Sequence, residues 1–531
     1  MKKIISLVVL LFSIRVLAAP PPASPTLQTA PAAVPKVLMM DNGAEPEMLD
    51  PGLIAGEVEG NVVVNIFEGL TEYDPKDSHP VPAVASRWEI SKDGRTYTFY
   101  LRKEAKWSDG TPVTAKDFEY AWKRALSPAT ASRYAFILYY LKNGQAYNEG
   151  KVKDALQVGV QAVDDATLKV TLENPTPFFL SLTSFYTYRP VKKEMVEKFG
   201  DQWTRPENIV TNGPYRLQSW TPTRSIVLVK NPVYWDAMNV KIEQVHILPI
   251  EDRDTAMKKY EAGESDRLWK MTPLQVEQKR NHPHVVFSPQ NMNYFYMFNT
   301  QKPPFDNPKV RMALAMAVDR EMIAKFIKKG AAFPLSTLIP PGLPGYKSIY
   351  SIPYDPVKAK QLLEEAGYKY PVSFPSVEFI YNTDPRHQSV AEAVQQMWKK
   401  NLGVDVRLRN MEWKSLLQTR SGSNFQISRH GWGGDYLDPN TFLEMFKSGT
   451  SMNEGKWKNK KFDDLLTQAG REQNSTKRME ILAEAEKIFL QEAPVIPIFN
   501  ETLVNLVNPK LKGYYSTLND MHPLKFMSWA E

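Results

Sequence analysis

An export signal stands at the head of a chain that contains no cysteine, and together these two features limit how it can fold. Residues 1–18 run from a basic start (Lys2, Lys3) through an apolar stretch to small residues, with cleavage expected after Ala18. That stretch is shorter than the ~20 residues a membrane span needs, so it reads as a removable leader. An exported chain without disulfides must be stable from its core alone. At 531 residues, 43% of them hydrophobic, it has the material for large cores and is too long for one, so more than one lobe is expected. The lack of cysteine also excludes a lipid on an N-terminal cysteine. The mature protein is therefore expected free in the periplasm and not as a lipoprotein.

Residues 19–36 are rich in proline and alanine and have no face to bury, so they read as a disordered tether. Folded sequence begins near Val37. Without Lys2, Lys3 and Arg15 the chain has 63 basic against 59 acidic residues, a formal +4. That is weak for its size and argues against a nucleic-acid partner. Short alternating strands then mix with helices. Residues 97–101 alternate, 115–126 read as a helix with Phe118 and Trp122 on one face, and a strand pair, 167–171 and 226–230, brackets the Asn212-Gly213 turn. Further helices are expected over 309–322, 356–366 and 388–400. The class is α/β, with no repeat of solenoid or propeller length.

The stretch from Trp413 to Gly449 carries the chemistry. Residues 425–429 alternate, so Phe425, Ile427 and Arg429 share one face, expected to be the buried one, and a charge is aimed at something. Trp432, Gly433, Gly434 and Asp435 follow. Asp438-Pro439 reads as a helix start, with the carboxylate as cap and proline in the first turn. Asp435 has no such explanation. On a glycine-loosened bend beside an indole it suits a ligand's ammonium group, and the plainer reading is a structural Arg429–Asp435 salt bridge.

Trp413 with Arg420 seven residues on, Arg429, and Gly431-Trp432-x-x-Asp435-Tyr436 resemble the ligand-binding segment of the bacterial periplasmic oligopeptide-binding proteins, the receptors of peptide ABC transporters. The resemblance runs from about Leu38 to about Tyr515. It includes Glu45-Pro-x-x-Leu49-Asp-Pro51, Asn65-Ile-Phe-Glu-Gly-Leu70, Leu101-Arg-Lys-x-Ala-Lys-Trp-Ser-Asp-Gly-Thr-Pro112, Asn208-Ile-Val-Thr-Asn-Gly213, Asn299-x-Gln-Lys-Pro-Pro-Phe305, Tyr381-Asn-Thr383 with His387, and Trp398-Lys-Lys-Asn-Leu-Gly-Val404.

The resemblance implies a periplasmic binding protein-like fold (cluster C) of three lobes. Lobe I would comprise 37–67, 194–291 and 503–531, lobe II 68–193 and lobe III 292–502, with ligand in a hinge-closing cleft between lobes I and III. It implies that Asp435 meets the ligand's α-ammonium. Arg429, Arg420 and His387 would meet carboxylates of peptides of different lengths or line hydrated pockets. Trp413 and Trp432 would wall the pockets, Gly431 belongs to the same motif, and Tyr134 would reach the ligand from lobe II. Ala55 stands where the enteric members have a cleft-facing glutamate, with Glu57 two residues on. Gly433-Gly434 replaces bulkier small residues, which is expected to widen the first pocket.

The partners implied are a short peptide and an inner-membrane permease, with the protein a monomer. No cofactor is expected. His282-Pro-His284 lacks the acidic or thiol neighbours of a metal site, and no Gly-x-Ser-x-Gly, His-Glu-x-x-His or phosphate-binding glycine loop is present, so no catalytic residues are assigned. A murein tripeptide is the alternative ligand, and a peptide-holding chaperone a more remote reading. A peptidase would need a second carboxylate, a metal or an activated nucleophile at matching spacing, and none is visible.

Overall fold

The computed structural model describes residues 37–530 apart from Ala55, 370–373, Asp435 and Ser451. The leader and tether expected over 1–36, and the positions Ala55 and Asp435, lie outside the described residues.

Two long antiparallel strands, Val285–Phe298 and Val495–Val507, form the middle of the main sheet. On one side follow Ile427–Gly433, Val377–Asn382 and Val406–Met411. On the other side follow Arg267–Leu268, Leu38–Asp41, Gln244–Leu248, Ser225–Lys230 and Tyr215–Thr221. At one end the long pair belongs to a core that includes Tyr294 to Phe298 and Val495, Ile496, Ile498 and Phe499. At the other end Val504 and Leu506 join a second core with Leu268 and Val276. The pair thus passes through both halves of the molecule and ties them together.

A separate four-stranded sheet is built from Ala85–Ile90, Thr96–Leu101, Thr167–Thr171 and Val160–Ala162. Strict alternation puts Tyr97, Phe99 and Leu101 on its buried face. Ala115–Leu126 packs beneath it with Phe118 and Trp122 fully buried, and the indole N–H of Trp122 donates to the Tyr188 carbonyl at 2.7 Å. That helix starts at Thr114, where Thr114 and Asp117 satisfy each other's backbone donors in a capping box. The strands over 167–171 and 226–230 are not partners. The first pairs with Thr96–Leu101 in the small sheet, the second with Gln244–Leu248 and Tyr215–Thr221 in the large one.

The helix expected over 309–322 is broken. Pro308–Met316 ends near Ala317, and Asp319 restarts the chain by accepting from the Met322 N–H, with the buried Arg320 donating to the Pro497 carbonyl. Pro356–Glu365 and Pro385–Leu402 follow the expected positions, the latter ending on Gly403 at φ 71°.

Candidate functional site

A cleft of about 220 Å³ opens where the two long strands meet the end of Ile427–Gly433. Glu57, Tyr73 and Phe185 line one wall, Asn291, Gly433 and Gly434 the other, and Leu518 and Asn519 lie along it. Glu57 thus reaches the cleft, but its carboxylate already accepts a bond from Lys270.

The strand carrying the expected site is paired on both edges, with Val285–Phe298 along its length and with Val377–Asn382 at its start. Phe425 and Ile427 are buried as expected, yet Ser428 and His430 on the opposite face are buried too, because the strand is interior. Arg429 is half-buried, its guanidinium 4.8 Å from the centre of the Tyr294 ring. No carboxylate among the described residues lies within ion-pair distance of it, and its Nε is buried without a partner. Beside it Tyr294 Oη and His387 Nδ1 are 3.2 Å apart. Burial first, and then the Arg429 charge, push the His387 imidazole down to about 4. Arg429 thus stands beside a neutral ring, with no carboxylate partner among the described residues, and neither it nor His387 is among the residues that line the cleft.

That depressed value has a sign. Because the folded pKa lies below the ordinary 6.5, protons bind the unfolded chain first as pH falls. The stability from this group is full above pH 6.5 and is lost as pH drops through about 4. Arg429→Met is expected to raise the imidazole pKa part of the way back, since burial, the larger cause, stays. An NMR titration of the His387 ring protons reads this directly, and an unmoved value would show that the Arg429 charge does not act there.

Arg420 sits differently. It is 6% exposed on the last turn of Trp413–Ser421, where its Nε donates to Glu454 Oε2 at 2.7 Å and its Nη2 lies against His430 Nε2. Burial and the Arg420 charge hold His430 well below the usual histidine range. The Arg420 fork is thus committed within the fold. Trp413, at the start of the same helix, is 47% exposed.

The backbone N–H of Trp432 donates to Asn293 Oδ1 at 3.2 Å, and its indole N–H is buried without a partner. Gly431 lies in close approach to the next strand, since a Cβ there would sit 3.0 Å from the Asn293 carbonyl oxygen and press on it. Tyr134 packs tilted against the cleft-lining Phe185, 5.5 Å between ring centres and 32° between planes. The structure therefore brings Arg429 and His387 together, sets Trp432 and Gly431 on the same strand, and leaves Arg420 in its own ion pair.

Behind this segment the expected cap is shifted by one residue: the helix is the single turn Asn440–Leu443 with Pro439 at its N-cap, while Asp438 accepts from the Asn440 N–H at 2.9 Å and pairs with both Nη atoms of Arg478 at 2.5 and 2.8 Å. The ring of Tyr436 stacks flat on Phe178, 4.0 Å between centres and 6° between planes.

Tyr294, Asn291 and Phe185 were not singled out from sequence. For Asn291 a signal exists: two asparagines in Gln290-Asn-Met-Asn293 interrupt an otherwise apolar strand, as residues at a bulge do. The expected widening at Gly434 does not occur, because the room a side chain would take is filled by Asn291 and Thr441.

Residues 79–454 match the family described as bacterial extracellular solute-binding proteins, family 5 Middle. The chain is 41% identical over 492 residues to the periplasmic oligopeptide-binding protein OppA of Salmonella typhimurium, covering 90% of each. Against the murein tripeptide-binding protein MppA in its unliganded open form, it is 37% identical with a TM-score of 0.89, covering 94% of this chain and 98% of that one. A second structure of Escherichia coli MppA, also 37% identical and covering 93% and 98%, gives 0.68. At equal sequence identity, the chain superposes more closely on that unliganded open form than on the second structure. By the span of that match and the end-to-end likeness to its members, the chain belongs to the family 5 bacterial extracellular solute-binding proteins.

Proposed function

We propose that this protein is a periplasmic receptor that captures short peptides and delivers them to an inner-membrane ABC permease. The observation that carries this reading is Arg429. A half-buried guanidinium with no carboxylate partner among the described residues, beside a histidine held neutral, calls for an anion brought by the ligand. A peptide's C-terminal carboxylate supplies one. Asp435 then takes the ammonium, and the backbone between is met by strand edges, which gives affinity with little dependence on side chains.

In this reading the leader directs export, and the protein acts as a monomer. Lobes I (37–67, 194–291, 503–531) and III (292–502) close on the ligand by bending at Val285–Phe298 and Val495–Val507, while lobe II (68–193) buttresses the first. Closure requires contacts that exist only across the shut cleft, since a ligand that touches both states equally shifts nothing. A murein tripeptide is the second ligand class, favoured by the superposition on open MppA.

The test is calorimetric titration of protein refolded free of carried-over ligand, with trialanine and with its N-acetylated form. Trialanine is expected to bind and the acetylated peptide to fail. If neither binds, simple peptides are the wrong ligand, and muropeptides are titrated next.

A further inference from the structure

The pairing of the two long strands slips between Pro289, opposite Thr502, and Asn293, opposite Asn500. Residues 290–292 form a bulge there, and bulges re-aim side chains beside functional sites. Asn500, fully buried, donates both Nδ2 hydrogens to the carbonyls of Gln290 and Met292, at 2.7 and 2.6 Å. Those are the carbonyls on either side of Asn291. Asn291, 8% exposed, repeats the arrangement just past the end of Ile427–Gly433, its Nδ2 donating to the carbonyls of Gly434 and Tyr436 at 3.2 and 3.1 Å. Those flank position 435. The Asn291 carbonyl also accepts from the Gly434 N–H at 2.7 Å, and its N–H donates to the Leu518 carbonyl at 2.8 Å.

Chemistry fixes the orientation of both carboxamides, because turning either one would set its oxygen against two carbonyl oxygens. Each leaves its own oxygen buried and unpaired, so the amide hydrogens have been placed on these carbonyls at some cost. Gly434 belongs to the same device. A Cβ there would lie 2.4 Å from Asn291 Nδ2 and 2.8 Å from a Thr441 methyl, so only glycine leaves room for the bridging amide. Aspartate at 291 would lack the donors, and glutamine would be one methylene too long.

We propose that Asn291 is a positioning residue for the ligand's ammonium site, clamping the backbone on both sides of residue 435, and that Asn500 holds Asn291 in place through the bulge. A charged group must be set to within about 0.5 Å to meet a ligand well, and the bonds from Asn291 hold the backbone carbonyls of Gly434 and Tyr436, on either side of position 435. The proposal rests on the assignment of Asp435 to the ligand's α-amine.

The test is trialanine affinity, by calorimetry, of full-length Asn291→Ala, Gly434→Ala, Asp435→Asn and the Asn291→Ala/Asp435→Asn pair. Asn291→Ala is expected to weaken binding about 10- to 100-fold, the scale of two lost supporting hydrogen bonds. Gly434→Ala keeps the carboxamide but displaces it, and should weaken binding in the same way, so the test survives if Asn291→Ala fails to fold. In the Asp435→Asn background, Asn291→Ala should matter less than about threefold, because its route to the ligand is gone. An equal loss in both backgrounds, or affinities of Asn291→Ala and Gly434→Ala within threefold of the parent while Asp435→Asn binds poorly, overturns the proposal alone. Full affinity in Asp435→Asn overturns the assignment beneath it.

Discussion

Asp435→Asn is expected to lower affinity for free-amine tripeptides by about 2–5 kcal/mol, roughly 30-fold to several thousandfold. Asparagine keeps the size and polarity of the side chain and removes only the charge. On the proposed assignment of Asp435, the ammonium would then sit in a closed cleft without its counter-charge, and much of the loss would be the cost of that stranded cation. The local backbone should be unchanged, since the bonds that fix residues 434 and 436 come from Asn291 and use no side chain at 435. The comparison that isolates the effect is a peptide without the α-amine. Its weak binding should be the same in parent and variant, whereas a parallel loss would point to general damage to the cleft.

Arg478→Leu is expected to cost about 3–5 kcal/mol of stability. Asp438 is 3% exposed, so removing the guanidinium leaves a buried carboxylate without its counter-charge, though it still accepts from the Asn440 N–H. The midpoint of urea unfolding reads the loss. Pairing the change with Asp438→Asn should restore part of it, because the uncompensated charge is then gone. If the double variant is as unstable as the single one, the lost energy lies in the packing of Arg478 near Phe178, 6.0 Å away, and not in the pair.

Local rules were legible in the sequence where local forces decide. The Phe118–Trp122 spacing located Ala115–Leu126 to the residue, and the structure shows the Thr114–Asp117 capping box that fixes its start. The 309–322 helix was overrun because its apolar period continues through the break, while Asp319 can cap a new turn as readily as it can sit mid-helix. The candidate site divides along the same line. Residue types at matched spacing located the strand with Arg429, Gly431 and Trp432. Nothing in their order told that Arg420 would be taken by Glu454, 34 residues on, or that Asp438 would meet Arg478, 40 residues on. Partners so far apart are chosen by packing, and chain order does not encode them. The same holds for Asn291, whose bond partners lie 143 and 145 residues away.

The position of the first strand has a consequence for how the chain acquires its shape. Leu38–Asp41 lies inside the main sheet, paired in parallel with Gln244–Leu248 on one side and with Arg267 on the other. Arg267–Leu268 in turn needs Leu506 and Val507. A chain synthesised amino-terminus first therefore cannot settle its opening strand until residues some 200 positions later have been made, and cannot close the sheet until nearly all of it is present. Such a topology folds late and slowly, with its contacts dominated by distant pairs. The order of synthesis thus holds the cleft-bearing sheet open until the end, and a chain cut short before Val495 lacks the strand on which both halves are hung.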